Sequence, residues 1–350
     1  MAKLLTQPNM KKIIYAIIGL LLISGFMVSQ AQTSATPQEL VVDTNPDSLV
    51  DVTGYFCKND TIDYWISETE WKFNDGDTIK NAGVLTKVRI VVTDSTSTGY
   101  KMTYTFLDCV GDTAVAKGMG TVQNKIVEKL GQKIVGTTIE FETDEFGHIT
   151  KFNDLNKIKK QAKSLYKDCM NELVNVDEIK ALKAMGLDMK KLIDQNVNTD
   201  ELVDGYTEEL NMLFACHGNS YPLGEQKIHE DATETQYEND TYMVVSIDED
   251  EDYHLSFDVV SVIPQSVIKD KVGELVGMFV NNDIIEDFAA EYDKQINIDA
   301  TSESYLGYDF IWNGWPYKVL DQTTTMIGKV GKCKQKYIWV DYYSFGNWAK

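Results

Sequence analysis

Tyr100-Lys101-Met102-Thr103-Tyr104-Thr105-Phe106 decides the fold. Large apolar residues take every second position, and Lys and Thr fill the gaps. A strand sends successive side chains to opposite faces, so this one has a greasy face and a wet face. Just upstream, the β-branched run from Val88 to Thr93 reads as its partner strand. Asp94-Ser95-Thr96-Ser97-Thr98-Gly99 is the turn between them. The same device recurs later. Tyr242 to Ile247 is a strand and Asp248-Glu249-Asp250-Glu251-Asp252 a turn. Tyr253, Leu255, Phe257 and Val259 then alternate with His254, Ser256 and Asp258.

Working outward, the two hairpins have matching surroundings. A helical pattern follows each, through Val122, Ile126, Val127 and Leu130 in one case and Val267, Ile268, Val272, Leu275, Val276 and Phe279 in the other. A second hairpin follows each helix, turning at Gly147 and at Asn313-Gly314. This repetition suggests an internal duplication. Between the halves, helical spacing predicts three helices. The first passes through Leu155, Ile158, Ala162, Leu165, Cys169 and Leu173, the second runs over 176–193, and the third over 199–216. Short connections would make them antiparallel neighbours, with Cys169 and Cys216 near one end and a bridge between them geometrically reasonable. The expected fold class is α+β, with antiparallel sheets from two similar halves packed on helices and a three-helix block between them. The expected layout is half one at 53–152, the helical block at 153–218 and half two at 219–350.

The N-terminus reads as an export signal. Met10-Lys11-Lys12 precedes an uncharged apolar run from Ile13 to Val28, and Ser29-Gln30-Ala31 ends it. A charged start, an apolar stretch and a small-x-small site predict cleavage between Ala31 and Gln32. The run is shorter than the roughly 20 apolar residues of a membrane span. Residues 1–31 are therefore expected to be removed, leaving no membrane span and placing the protein in the periplasm or outside the cell. Residues 32–52, rich in Thr, Ser, Pro, Gln and Asp, read as a flexible leader.

Charge excludes several partners. The formal net charge is -21, and losing the three lysines of residues 1–31 takes it to -24. Binding to nucleic acid or to an anionic membrane relies on clustered Lys and Arg, so neither is expected. The acidity does not signal disorder, because 43% hydrophobic and 11% aromatic content can build a core.

Catalytic and metal signatures are scarce. The histidines, His148, His217, His229 and His254, form no His-x3-His pair, and no two of the five cysteines are spaced Cys-x2-Cys. No metal or cofactor is expected. Cys216-His217 are sequence neighbours, but a nucleophile and its base must meet in space, so helix-end packing is the expected role. The acidic run 248–252 lacks the ligand spacing of a calcium loop and reads as a solvated hairpin tip. Trp312 and Trp315 bracket Asn313-Gly314 and are the candidate ligand-binding residues, as rings on which a carbohydrate or apolar molecule could stack.

The signal ending at Ala31, the two alternating hairpins and the Gly147 and Gly314 turns together resemble secreted, uncharacterised proteins of Bacteroidota. The outline is similar to periplasmic half-barrel carriers of lipids and lipoproteins. That resemblance implies a sheet-over-helix plan and no activity for any residue. The expected function is a non-enzymatic binding or carrier protein for an apolar or lipid-like ligand. The alternatives are a structural or interaction protein with an envelope partner, and a hydrolase.

Overall fold

The computed structural model describes residues 49–111, 133–153, 156–158, 160–161, 201–232, 237–264 and 300–346, together with Ser164, Asp168 and Ser266. Period-2 patterning dominates these residues. The strands are β1 (Leu49–Asp51), β2 (Thr61–Asn74), β3 (Asp77–Thr96), β4 (Gly99–Gly111), β5 (Thr138–Thr143), β6 (Ile149–Phe152), β7 (Ser220–Pro222), β8 (Gly224–Glu230), β9 (Asn239–Ile247), β10 (Tyr253–Val262), β11 (Ala300–Phe310), β12 (Pro316–Ile327) and β13 (Val330–Ser344), with helix α1 at Glu201–Phe214 before β7. Eleven of them form one antiparallel sheet in the order β6-β5-β4-β3-β2-β13-β12-β11-β10-β9-β8, and β1 pairs with β7.

This architecture overturns the α+β expectation. The two halves do not build separate sheets on a helical block; both meander into a single sheet, joined where β2 pairs with β13. The described residues are overwhelmingly strand, with α1, a short helical stretch starting at Asn156 and helical residues at Lys133 and Ile134. α1 realises the third helix expected at 199–216. The second expected helix, most of the first, and the helices sought at 122–130 and 267–279 lie outside the described residues. So do Ala31, Gln32 and Cys169. Strand length explains the discrepancy: β2, β3 and β13 span 14, 20 and 15 residues. β2 and β13 carry charged residues on their inward faces (Glu68, Glu70 and Lys72; Lys332, Lys334 and Lys336), where an apolar alternation cannot mark them. The final residues of the expected leader are also structured, since β1 pairs with β7 and Val50 and Val52 are buried.

The sheet is strongly curved. Adjacent strands lie about 4.8 Å apart, so the six steps from β5 to β11 would cover about 29 Å if flat. Yet three ring contacts bridge that gap from the inside. Phe141 of β5 lies 5.6 Å from Phe214, Phe214 lies 5.2 Å from His217, and His217 lies 5.8 Å from Phe310 of β11. The sheet therefore curls around the C-terminal end of α1. Leu210, Leu213 and Phe214 recur at helical spacing on one face of α1 and are buried against it. Tyr308 donates a hydrogen bond to the Met212 carbonyl at 3.0 Å, fixing the last turn to β11. Burying each such Leu or Phe stabilises the fold by roughly 1.5–3 kcal/mol. Among the described residues, no helix is long and apolar enough to cross a membrane.

Ile338 of β13 sits between Val319 and Ile66 in the core. Ile338→Ala should cost about 2–5 kcal/mol through transfer and cavity terms. Ile247→Ala, at the exposed end of β9, should stay within about 0.5 kcal/mol. Urea unfolding followed by tryptophan fluorescence measures both, and equal costs would contradict the core placement.

Candidate functional site

Strand register divides the concave face of the sheet into bands that run across the strands. One row, Val245, Leu255, Tyr308, Val319, Ile338 and Ile66, is apolar and buried. Two residues further along each strand, Asp321, Lys336 and Glu68 face one another. Four residues beyond that lies a row of Asn239, Ser261, Ser302, Thr325 and Lys332, all at most 3% exposed. Cross-strand neighbours on one face sit about 4.5–5.5 Å apart, so each row is a continuous strip of one chemistry.

The middle band is a charge cluster built from three elements. The Lys336 ammonium meets Glu68 of β2 at 3.5 Å, and Glu208 and Glu209 of α1 at 3.0 and 3.2 Å. Burial would lower the Lys336 pKa, but the facing carboxylates overcome it and hold the group above its ordinary value. Burial pushes the Glu209 carboxyl up to about 7, against the pull of Lys336, and also raises Asp321. The Tyr104 hydroxyl and Glu209 Oε2 are buried and find no hydrogen-bond partner among the described residues. Ser302 Oγ and Thr325 Oγ1 in the hydroxyl row share that condition. Buried polar atoms are nearly always satisfied, yet eight lack a partner among the described residues, and those of Tyr104, Tyr253, Ser302 and Thr325 lie on strands of this face.

The residues singled out by sequence fall elsewhere. Trp315 and Trp312 do not form a pair. Trp315 is fully buried, 4.3 Å from Phe56 between ring centroids, with its indole N–H directed at Asp60 at 3.4 Å. Trp312 is 49% exposed. The turn between them is tucked in: Gly314 has φ +83°, and a Cβ there would lie 2.3 Å from the Thr53 carbonyl oxygen. Only glycine fits that left-handed, crowded position.

Cys216 is a free thiol among the described residues, and the Cys169 partner expected for it lies outside them. Burial among Tyr221 and Tyr308 pushes the thiol up to about 12, which removes the thiolate a nucleophile needs. The His217 ring is buried and donates through Nε2 to the Gly314 carbonyl at 2.9 Å, and burial lowers its pKa to about 4. Both residues pack the end of α1. In the 248–252 turn, Asp248 Oδ1 accepts from the backbone N–H of Asp250 and Asp252. Among the described residues, no three His, Cys, Asp or Glu are placed to hold a metal. The charged and hydroxyl bands escaped sequence reasoning, although period-2 charge was there to see in Glu68-x-Glu70-x-Lys72 and Lys332-x-Lys334-x-Lys336.

The chain matches no protein-family model and no curated protein. Among solved structures it is similar to lipovitellin, studied for its lipid–protein interactions, with TM-score 0.41 and 8% identity over 84% of this chain. The chain spans about a quarter of lipovitellin's length, 26%. It is also similar to an outer membrane channel from Pseudomonas putida F1, with TM-score 0.13 and 7% identity over 85% of this chain and 100% of that one. At these scores neither likeness bears on what the chain does.

The charge cluster should be visible in stability. Because the folded Glu209 carboxyl is raised above its unfolded value of 4.5, the folded state holds an extra proton between pH 4.5 and 7. Its contribution is complete below pH 4.5 and lost as pH rises through 7, by up to about 3 kcal/mol. Glu209→Gln should remove that slope relative to the wild type. Urea midpoints at pH 5 and pH 7.5 measure it, and identical slopes in both proteins would refute the assignment.

Proposed function

We propose that this is an exported binding or carrier protein that takes an apolar or amphipathic small molecule on the concave face of its curved sheet. One observation carries the reading. That face holds an apolar band beside buried polar bands, and the polar bands contain hydroxyls without partners among the described residues. An amphipathic molecule has the complementary division, with chains to lie along the apolar rows and a polar end to meet the hydroxyls. Ile228, Val259 and Leu306 of the inner face are only partly buried, which leaves apolar surface there for a guest. The state of Cys216 and His217 favours binding over nucleophilic catalysis. Export rests on the signal-like residues 1–31.

Native mass spectrometry of the mature protein, purified from its own compartment, tests the reading. The expected result is an excess mass that organic solvent releases as an apolar or amphipathic compound. A clean ligand-free mass would overturn it.

A further inference from the structure

We propose that Lys72, Lys332 and Lys334 form, with the Thr325 and Ser302 hydroxyls, a site on the concave face for an anionic group, the head of the carried molecule. This rests on the carrier reading and assigns that ligand its charge. The register carries the argument. Lys332 of β13 stands directly opposite Lys72 of β2 on one side and Thr325 of β12 on the other. Lys334, two residues on and therefore on the same face, stands opposite Glu70. Like charges directly opposite each other across a sheet destabilise it. Here Lys72, Lys332 and Lys334 occupy neighbouring register positions around Glu70, whose carboxylate pairs with Lys332 at 2.7 Å. Concentrating positive charge this way is unexpected in a chain of net charge -21.

Local electrostatics agree. Lys332 is 3% exposed, and burial lowers its pKa, with Lys334 and Lys72 adding their repulsion against the support of Glu70. Burial lowers Lys72 as well. An incoming anion would relieve both. Lys72 is half-buried and Lys334 exposed, so the cluster is reachable from solvent. The second, independent observation is the adjoining hydroxyl row. Thr325 Oγ1 and Ser302 Oγ, at 1% and 2% residue exposure, have no partner among the described residues. A carboxylate or phosphate oxygen accepts from hydroxyls and ammonium groups alike, and charge-assisted bonds are the stronger kind. The neighbouring charge cluster does not compete, because Lys336 is already surrounded by Glu68, Glu208 and Glu209.

The test compares oleate with oleyl alcohol, which share a chain and differ in charge, and adds inorganic phosphate alone. Binding is measured by titration calorimetry on the mature protein, with Lys72→Gln/Lys334→Gln as the variant. Lys332 is left in place so that Glu70 keeps its partner. The expected result is that oleate binds about tenfold tighter than oleyl alcohol, the size of one or two charged hydrogen bonds. That preference should shrink with added salt. It should vanish in the variant while oleyl alcohol affinity stays unchanged. The variant should melt at the same temperature or higher, since repulsion has been removed. Equal affinities for oleate and oleyl alcohol overturn the anion site and leave the carrier reading standing. Phosphate binding that the variant loses, with neither lipid bound, keeps the anion site and overturns the carrier reading. A variant with a lowered melting temperature shows lysines serving the fold, and overturns the proposal.

Discussion

The antiparallel pairing of β2 with β13 holds the molecule together. These strands lie at opposite ends of the described chain and match residue to residue from Val330 opposite Asn74 to Ser344 opposite Thr61, with one shift near Val340. Without this seam the molecule would be two separate meanders, β2 to β6 and β8 to β13. Asp60, just before β2, locks one end of it. Its carboxylate accepts from the Cys57 and Gly346 backbone N–H groups at 2.8 and 2.6 Å, and the Trp315 indole points at it. One buried side chain thus ties the entry to β2, the exit from β13 and the β11–β12 turn. Closing contacts of such sequence separation costs loop entropy before it is repaid, so a fold organised this way should form slowly.

The seam also sets the chemistry of the concave face. Because side chains alternate with period 2, a one-residue slip of β13 against β2 would turn Lys332, Lys334, Lys336 and Ile338 outward together. In the observed register Ile338 meets Ile66, Lys336 meets Glu68, and Lys332 meets Lys72. The first two pairs favour the register and the third opposes it. Buried ion pairs seldom stabilise a fold beyond what packed apolar residues would give, since desolvation consumes most of the Coulomb gain. A chain selected for stability alone would carry apolar side chains where Lys336, Glu209 and Lys332 now stand.

The sequence disclosed the parts of this fold in which hydrophobicity does the work. The alternation of Tyr100, Met102, Tyr104 and Phe106, and of Tyr253, Leu255 and Phe257, corresponds to β4 and β10, with their apolar members buried. The turn at Asn313-Gly314 was legible because its left-handed glycine is a local requirement. The single sheet was not, since joining β2 to β13 is a long-range choice that no local pattern encodes. Nor was the candidate site. Ser302, Thr325 and Lys332 are unremarkable one at a time, and only register places them in one row. Trp315 misled for the converse reason: an aromatic beside a turn reads as exposed, and here the turn itself is packed against Thr53 and Gly54.

An open, curved sheet has two edges that a closed barrel lacks, and both could template association. β6 is short, at four residues. β8 carries Glu225, Lys227, His229 and Glu230, with Lys227 and His229 paired to Asp240 on β9. Brevity at one edge and charge at the other oppose strand addition. The outer face is similarly guarded by ion pairs such as Arg89 with Asp63 and Lys87 with Asp341. What stays unbalanced is the concave face, with hydroxyls that lack partners among the described residues and neighbouring lysines beside an apolar band. The contrast is between an exterior with charged, partly paired side chains and an interior whose buried hydroxyls lack partners among the described residues.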